Sequence, residues 1–327
     1  MRSVEVIVVG GGPAGSAAAH RLTAAGVDVL VLDKDRFPRH KLCAGWITPQ
    51  VVSDLELDVG VYPHGFLSFR RLHFHWRGLN LGVPCVQHSI RRFEFDAWLL
   101  ERSRAEFVQH AVRDIRADGD QYVIDEAFRC RYLIGAAGTS CPVRRSLFDH
   151  VVGRPRALQT VTLELEFPCD WQDPDCHLWF FEHRLPGYSW YVPKASGWLN
   201  VGVGGMASRL KQGGHTIREH WMYLASKLER QFRIKMPNDP GGFSYYTRGQ
   251  VAGMRIGNAF LTGDSAGLAT RDLCEGIGPA IRSGQRAAHA IVSGAGYTLD
   301  DVTGASLGGG LLSRGMDWAF TRGVTRA

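Results

Sequence analysis

Residues 4–33 read VEVIVVGGGPAGSAAAHRLTAAGVDVLVLD, and this stretch decides the fold class. A β-branched run at 4–9 leads into a glycine-rich turn, and a helical pattern follows at 13–25. A second short apolar run at 27–32 reads as another strand. The order predicts a β-α-β unit of about 30 residues.

The glycines of the turn stand where the phosphates of a dinucleotide bind. Gly10 allows the tight turn, Gly12 lets backbone approach a pyrophosphate, and Gly15 allows the helix to pack closely on the strand. The start of the helix offers free N–H groups to the phosphates. Asp33 ends the second strand and can accept hydrogen bonds from ribose hydroxyls. The stretch predicts a dinucleotide site and leaves FAD and NAD(P) both open.

Composition sets the broad class. The chain has 327 residues, of which 45% are hydrophobic and 21% are charged, so it can bury a sizeable core in one large or two ordinary domains. No run of 18 apolar residues and no signal-peptide pattern occur. We therefore expect no transmembrane segment and a cytoplasmic location, with peripheral attachment to a membrane left open.

The net charge and the cysteines limit the partners. The net charge of +6, from 38 basic against 32 acidic side chains, is modest and dispersed. It suits an anionic small molecule or a membrane surface at least as well as nucleic acid, and we predict no nucleic-acid partner. Seven cysteines without a Cys-x-x-Cys pair indicate reduced thiols.

The rest of the chain indicates an α/β protein. Residues 65–90 alternate like a strand, 92–107 have helical spacing, and 158–205 have a β pattern in which 202–205 reads as a strand end and turn. We expect a discontinuous Rossmann-like domain with an inserted, mainly antiparallel β-sheet domain that binds substrate. The predicted ranges are 1–64, 91–157 and 250–300 for the first domain, 65–90 and 158–249 for the second, and 301–327 for a short C-terminal tail with a helix at 316–320.

A second glycine motif lies far along the chain. A strand at 259–261 ends in Gly263-Asp264, where the carboxylate can bond a ribityl hydroxyl. Gly276, Ile277 and Gly278 then open a helix whose first N–H groups can face the anionic edge of a flavin. An ordinary strand-turn-helix is the alternative explanation.

Together the two motifs resemble the FAD-dependent p-hydroxybenzoate hydroxylase-like superfamily, and within it most the geranylgeranyl reductase family. The resemblance covers residues 1 to about 295. Arg92-x-x-Phe95-Asp96 is similar to the family's Arg-x-x-Phe-Asp helix start, which implies that Arg92 lies near the FAD phosphates. Residues 135–145 resemble the family's Gly-Ala-Asp-Gly segment, with Ala137 in place of the Asp and Gly138 keeping the turn.

Two shorter matches concern the chemistry. Residues 42–45, Leu-Cys-Ala-Gly, resemble the family's Cys-Gly loop over the flavin, and Cys43 is a candidate proton donor or redox-active thiol. Residues 187–193, GYSWYVP, resemble its Tyr-x-Trp-x-Phe-Pro strand, with Val192 in place of Phe. This resemblance implies that Tyr188 and Trp190 line the substrate cavity beside the flavin ring. Two residues apart on a strand, they share one face and could hold an apolar or planar substrate, although aromatic core packing explains them too.

The predicted site residues follow from these motifs and from the basic loop after the second strand. The predicted catalytic residues are Cys43, Tyr188 and Trp190. The predicted cofactor-binding residues are Gly10, Gly12, Pro13, Ala14, Gly15, Asp33, Lys34, Arg39, Cys43, Ala44, Arg92, Gly138, Gly263, Asp264, Gly276, Ile277 and Gly278. His73 and His75 share a strand face, but the spacing offers no third ligand, so we predict no metal.

The resemblance implies an FAD-dependent reductase that transfers hydride from N5 of the reduced flavin to a C=C bond of an isoprenoid-like or conjugated substrate. NADH or NADPH is the expected electron donor, and a carrier or a membrane is the expected source of the apolar or aromatic substrate. An aromatic monooxygenase and a non-catalytic flavin-binding module remain alternatives. A halogenase fits less well, because Tyr188 replaces its first Trp and no lysine lies between Lys41 and Lys194.

Overall fold

The computed structural model describes residues 1–302 and 304–306, and these form two compact units. Unit 1 comprises residues 1–39, 93–154, 246–302 and 304–306, and unit 2 comprises 40–92 and 155–245. Residues 40–64, which we assigned to the nucleotide-binding domain, thus lie in unit 2. The tail helix predicted at 316–320 falls outside the described residues. None of the helices in the described ranges is long and apolar enough to cross a bilayer.

Strands outnumber α-helices in the described part of the chain. The strands are β1 (Arg2–Val9), β2 (Val29–Asp33), β3 (Trp46–Ile47), β4 (Phe66–Trp76), β5 (Leu79–Ile90), β6 (Glu106–Gln109), β7 (Ile115–Asp118), β8 (Gln121–Ile124), β9 (Phe128–Gly135), β10 (Gln159–Pro168), β11 (Cys176–Phe180), β12 (Gly187–Lys194), β13 (Trp198–Met206), β14 (Gly241–Tyr246), β15 (Arg255–Ile256) and β16 (Ala259–Leu261). The α-helices are α1 (Pro13–Ala24), α2 (Pro49–Asp54), α3 (Arg92–Ser103), α4 (Pro142–Leu147), α5 (Ala207–Gln212), α6 (Ile217–Phe232) and α7 (Ile277–Ser293).

Unit 1 is built on a sheet whose central strands are parallel in the order β16-β9-β1-β2-β6. The β-branched runs of β1 and β2 are buried because parallel strands of this kind are covered on both faces. The carboxyl ends of β1, β2, β9 and β16 meet at one edge, which gathers Gly10, Asp33, Gly135 and Gly263 there. The predicted Rossmann-like architecture is confirmed by this sheet.

Helices α1 and α7 approach each other closely because both carry small residues where they meet. A Cβ atom added to Gly284 of α7 would lie less than 3.0 Å from the carbonyl oxygen of Ala14 in α1. Ala14, Ala18 and Ala287 are buried in the same core cluster. The contact fixes α7, and with it the second glycine motif, against the helix that follows the first motif.

Unit 2 is built on an eight-stranded sheet in the order β14-β10-β13-β12-β11-β4-β5-β3. The strand pairs β10–β13, β12–β13 and β11–β12 are antiparallel, whereas β4 and β11 are parallel. Helix α6 starts at a capping box of Thr216 and Glu219. Its residues Trp221, Leu224 and Leu228 belong to the same buried cluster as Val201 of the sheet.

Three local predictions are wrong in detail. The segment 65–90 is a hairpin of β4 and β5 rather than one strand, because Arg77 and Gly78 form a tight turn with positive φ at both positions. The helix predicted over 92–107 ends at Ser103, and the parallel strand β6 follows. Residues 202–205 lie inside β13 rather than in a turn.

We expect Gly284→Ala to lower the free energy of unfolding by ~1–3 kcal/mol, because the added methyl group would push α1 and α7 apart. The stated loss is the net effect after the ~1 kcal/mol by which alanine stabilises a helix relative to glycine is taken into account. Urea denaturation measures the difference. The control is Gly296→Ala, whose Cβ would have no neighbour within 4 Å. A Gly284→Ala protein as stable as the wild type would contradict the close contact.

Candidate functional site

Three glycines shape the turn between β1 and α1, but the protein itself requires only two of them. A Cβ on Gly10, which has φ +113°, would clash with the backbone of Ala136, and a Cβ on Gly15 would clash with the carbonyl of Gly10. At Gly12 the nearest atom to such a Cβ is Nη2 of Arg39 at 3.4 Å. Gly12 therefore borders open space, as a residue must where a phosphate approaches the backbone.

The carboxylate of Asp33 is held beside this turn. Its Oδ2 accepts a hydrogen bond from the N–H of Gly11 at 2.7 Å, and its Oδ1 accepts one from the N–H of Asp35 at 3.0 Å. A carboxylate has about four acceptor positions, so Asp33 can still accept from ribose hydroxyls. The position agrees with the predicted role.

Arg39 places a positive charge at the mouth of the turn. Its Nη2 lies 3.3 Å from Oδ2 of Asp96, whose side chain is fully buried. The Nε of Arg39 is buried and has no hydrogen-bond partner in the structure. The guanidinium thus keeps a donor for an anionic group that approaches Gly12.

The second glycine motif lies against the first. A Cβ on Gly263 would be 3.2 Å from the Cβ of Ala14 and 3.2 Å from that of Ala280. The hydroxyl of Ser265 donates to the carbonyl of Gly138 at 3.1 Å, which ties the turn at 263–265 to the turn after β9. Two motifs more than 200 residues apart therefore form one corner of unit 1.

Two arginines fix the backbone of that corner. Arg144 donates to the carbonyl of Ser265 at 3.3 Å, and Arg154 donates to the carbonyls of Asp264 at 3.3 Å and Ser265 at 3.2 Å. Arg154 also donates to the carbonyl of Thr139. Sequence reasoning missed Arg154, because it belongs to no motif and only the fold brings it here.

The start of α7 differs from the expectation of free N–H groups. The carboxyl of Glu275 is buried and accepts a hydrogen bond from the N–H of Gly278 at 2.6 Å. Burial raises the pKa of Glu275 to about 7. The backbones of Gly278 and Ile277 therefore already hydrogen-bond Glu275 within the protein, and contact of Gly276, Ile277 and Gly278 with a cofactor stays a prediction.

The corner fits FAD on three observations of this chain. Helix α1 begins at Gly12 with no side chain capping its N–H groups. Gly12 leaves space that a side chain would fill, and Asp33 stands ready for the adenosine ribose. The unpartnered Nε of Arg39 adds a donor for phosphate.

The other predicted cofactor residues occupy varied positions. Pro13 is the first residue of α1, and Arg92 is the buried first residue of α3. The side chain of Lys34 is exposed, and its carbonyl accepts from Gln109 at 3.2 Å. Ala44 lies in the loop before β3 in unit 2. Their contacts with the cofactor stay predictions.

In unit 2, the face of the sheet opposite α6 carries aromatic side chains in two adjacent rows. Residues that pair directly across strands point to the same face, so the strand registers define each row. One row runs, strand by strand, through Leu81, Phe74, Leu178, Trp190, Gly202 and Glu164. The other runs through Leu79, Trp76, Phe180, Tyr188, Gly204 and Thr162. We call these two rows the aromatic face.

Ring contacts make the aromatic face continuous. Tyr188 and Trp190 have ring centroids 5.9 Å apart, Phe180 and Tyr188 5.2 Å, and Phe74 and Phe180 5.9 Å. The two residues predicted to line the substrate cavity thus belong to a larger aromatic surface. Phe74 and Phe180 were missed because the sequence does not reveal that β4 pairs with β11.

Two glycines of β13 make room for the ring of Trp190. A Cβ on Gly202 would overlap the Trp190 ring, and a Cβ on Gly204 would lie 3.4 Å from it. The indole N–H donates to Oδ1 of Asn200 at 2.7 Å. Because an indole can only donate, this bond assigns the Asn200 amide, whose Nδ2 then donates to the carbonyl of Cys43 at 3.3 Å. The loop that carries Cys43 is therefore tied to Trp190.

Glu164 ends the first row and is nearly inaccessible to solvent. Asn200 hydrogen-bonds its side chain, and the atom Oε2 has no partner. Burial raises the pKa of Glu164 to about 7, against the opposing influence of Lys194. The structure thus places a carboxyl that keeps its proton at pH values below about 7 directly beside Gly202 and Trp190. Sequence reasoning missed it, because one glutamate in a strand carries no motif.

Cys43 is partly exposed, and its Sγ accepts from the N–H of Gly45 at 3.4 Å. Gly45 is buried against Ile90 and Lys194, where a Cβ would collide with both. The loop is thus fixed at Gly45 and by the Asn200 bond, with the thiol between these points. Its predicted role as proton donor or redox-active thiol stays a prediction.

The opposite face of the same sheet gathers histidines that the sequence left isolated. Nε2 of His75 lies 2.9 Å from Nδ1 of His177, and the ring of His73 stacks on that of His177 at 4.5 Å. Burial lowers the pKa of His75 to about 4. Within the described part of the chain, no group of His, Cys, Asp and Glu is arranged to hold a metal ion.

Comparison with known proteins agrees with this geometry. Residues 5–93 match the family model of FAD-dependent oxidoreductases of the DAO type. The chain is 28% identical to a menaquinone reductase of Mycolicibacterium smegmatis over 89% of this chain and 76% of that protein. It is 30% identical to an uncharacterized protein of Methanosarcina barkeri over 90% and 76% of the two chains. It is also 30% identical to a digeranylgeranylglycerophospholipid reductase of Methanopyrus kandleri over 64% and 60%.

Among solved structures, a geranylgeranyl bacteriochlorophyll reductase-like protein of Thermoplasma acidophilum has a TM-score of 0.77 at 18% identity, over 90% of this chain and 80% of that one. At this identity the likeness shows the fold. With the sequence matches, the chain belongs to the FAD-dependent oxidoreductases, and its relatives include proteins named menaquinone reductase and digeranylgeranylglycerophospholipid reductase. The resemblance inferred from the motifs is confirmed.

We expect Gly12→Val to lose FAD while the protein stays folded, because the new side chain would occupy the approach of the pyrophosphate and would meet only Arg39. A loss of at least ~10-fold in affinity corresponds to about 1.4 kcal/mol. Flavin absorbance per mole of purified protein measures retention, and circular dichroism checks the fold. Gly153→Val, whose Cβ would meet no atom within 4 Å, is the control. Full flavin content in Gly12→Val would remove this residue from the site.

We expect Glu164→Gln to change how stability depends on pH. Between the ordinary pKa of 4.5 and about 7, unfolded Glu164 has lost its proton and folded Glu164 keeps it, so the free energy of unfolding falls as pH rises. Glutamine cannot titrate, so the variant gains on the wild type by on the order of 2–3 kcal/mol across this window. The free energy of unfolding of the variant should still fall somewhat as pH rises, because the raised pKa of Glu275 acts in the same direction.

Urea denaturation at a series of pH values between 4 and 8 measures this difference. The control is Glu5→Gln, which changes an exposed carboxyl of β1. Parallel stability curves for the wild type and Glu164→Gln would show that Glu164 is not a neutral buried acid.

Proposed function

We propose that this protein is a reductase that adds hydrogen across a C=C bond of a substrate carrying a polyprenyl or conjugated apolar group. The observation that carries the proposal is the aromatic face, which ends at the buried carboxyl of Glu164. An apolar surface with one proton-holding group suits a substrate whose reacting carbon has no polar handle. The names of two relatives, a menaquinone reductase and a digeranylgeranylglycerophospholipid reductase, support the same substrate class.

Unit 1 would hold FAD through the α1 start, Gly12, Asp33 and Arg39. When bound and reduced, FAD supplies the hydride. We propose NADH or NADPH as its electron donor, since a flavin that delivers hydride must first receive one. Gly263 and Asp264 are the proposed contacts for the ribityl chain.

Unit 2 would supply the groups that act on the substrate. Tyr188, Trp190 and Phe180 would contact the apolar chain and exclude water from it. Asn200 would hold the Trp190 ring and, through the carbonyl of Cys43, the loop after Leu42. The buried carboxyl of Glu164 would hold a proton at Oε2 for the substrate carbon that does not receive the hydride.

An anaerobic half-reaction tests the proposed activity. The purified holoprotein is reduced by NADH, by NADPH or by light, and is then mixed with menaquinone or geranylgeranyl diphosphate as probes. We expect the oxidised flavin spectrum to return and the polyprenyl chain of the product to carry two additional hydrogen atoms, which remain after air has reoxidised any quinol to the quinone. If no alkene or quinone restores the spectrum, and an aromatic substrate instead gains one oxygen atom in air, the protein is a monooxygenase and the proposal fails.

Two variants separate the candidate proton donors. Glu164→Gln should slow the substrate-dependent reoxidation about 10²-fold and leave FAD content intact. In the wild type this reoxidation rate should fall as pH rises through about 7, where Glu164 loses its proton. The rate of the variant should not show this decrease. Cys43→Ser keeps the backbone bond to Asn200, so a slower rate in that variant alone would assign the proton to the thiol instead.

A further inference from the structure

The positive charge of the chain is not dispersed evenly, as composition alone suggested. Residues 59–93 contain five arginines and four histidines and no aspartate or glutamate. The hairpin of β4 and β5 makes up most of this segment. A stretch of this length without an acidic side chain favours contact with an anionic surface.

The tip of the hairpin exposes large apolar side chains. Trp76 is 52% exposed, Leu79 68% and Leu81 61%. Leu79 pairs with Trp76 across the hairpin, and Leu81 pairs with Phe74, so these side chains share one face. Single exposed apolar residues are common, but a cluster of them at one end of a hairpin marks a binding surface.

Arg77 adjoins this apolar tip, and Arg70 and Arg71 lie six and five residues before Trp76 on β4. The segment's other two arginines do not contribute exposed charge, because Arg91 is ion-paired with Glu166 and Arg92 is buried. Arg70, Arg71 and Arg77 are exposed, and none forms an ion pair with any residue that the structure describes. The guanidinium of Arg77 lies 5.4 Å from the ring centre of Trp76. Aromatic and apolar side chains flanked by unpaired arginines are the composition of a lipid-interface anchor.

The outer edge of β5 is a poor template for another strand. Its partner β3 reaches only Ser89 and His88, which leaves residues 79–87 without a neighbour on that side among the described residues. Pro84 lacks an N–H, and glycine occupies position 82. These residues disfavour edge-to-edge pairing with a second copy, whereas a lipid surface requires no strand register.

We propose that the hairpin tip docks on an anionic lipid bilayer, with Trp76, Leu79 and Leu81 in the interfacial layer and Arg70, Arg71 and Arg77 at the headgroup phosphates. The same face of the hairpin begins the aromatic face that leads through Phe74 and Phe180 to Trp190. Delivery of a polyprenyl chain along this face would require Phe180 and Trp190, which are 4% and 6% exposed, to open to it. This delivery rests on the proposed function, whereas the docking does not.

Sedimentation with vesicles tests the docking without any substrate. The holoprotein is mixed with vesicles of neutral phosphatidylcholine and with vesicles that also contain phosphatidylglycerol. We expect binding to the anionic vesicles that weakens with salt. The double variant Leu79→Ser with Leu81→Ser should bind at least ~10-fold more weakly, since two apolar side chains leave the interface. Arg77→Gln should bind about fivefold more weakly.

The matched control is Met222→Ser, which changes a side chain on α6 that is 60% exposed and lies outside the hairpin. It should sediment like the wild type, and circular dichroism and flavin content should show that all variants are folded. Equal sedimentation of the wild type with neutral and anionic vesicles, or of the double variant with the wild type, overturns the proposal. So does a wild-type dimer that the double variant abolishes, since the tip would then bind a second copy.

The docking and the proposed function fail separately. Vesicle binding without turnover of menaquinone or geranylgeranyl diphosphate would retain the docking surface and remove the reductase. Turnover of these probes without vesicle binding would support the reductase and reject the docking surface.

Discussion

The direct contact between the backbones of Gly10 and Gly15 fixes where helix α1 begins, and the rest of unit 1 depends on it. Because no side chain separates β1 from α1, the free N–H groups of the helix start lie at the edge where β2, β9 and β16 also end. The absence of a side chain at Gly284 likewise allows α7 to contact Ala14. Two motifs that are distant in sequence thus meet at one corner of unit 1, because Cβ atoms are absent where they approach each other.

Unit 2 uses glycines for a different end. Gly202 and Gly204 leave a gap in the sheet face that the ring of Trp190 fills, and this moves the ring toward Glu164. The indole then fixes the amide of Asn200, which reaches the Cys43 loop. In the aromatic strand predicted from its similarity to the family, Trp190 is buried and Tyr188 is half-buried. The packing of Trp190 is therefore observed, whereas the lining of a substrate cavity by the two residues stays a prediction.

The parts of the site that were predictable are those encoded in consecutive residues. The first glycine turn, Asp33 and the Gly263 corner follow from local spacing, and the structure gathers them because parallel strands share a carboxyl edge. The strand at 259–261 was also predicted with its observed bounds. The residues that sequence analysis missed are brought together by pairing between strands that are distant in the sequence. The β4–β11 contact alone brings Phe74 to Phe180 and His73 to His177, and no period within either strand encodes its partner.

Glu164 and Glu166 show why the neighbours of a carboxyl matter more than its place in the sequence. They stand two residues apart on β10 and share a face, yet their partners differ. Glu166 meets Lys194 at 2.6 Å and Arg91 at 3.0 Å, so its charge is matched twice. Glu164 has the amide of Asn200 and one orphaned oxygen, so burial dominates and its pKa rises to about 7. Since Lys194 is already bound to Glu166 and to the carbonyl of Ile90, it is not free to turn toward Glu164. The pair therefore divides into a carboxylate with two ion pairs and a buried carboxyl whose raised pKa suits the proton-donor role that we propose for it.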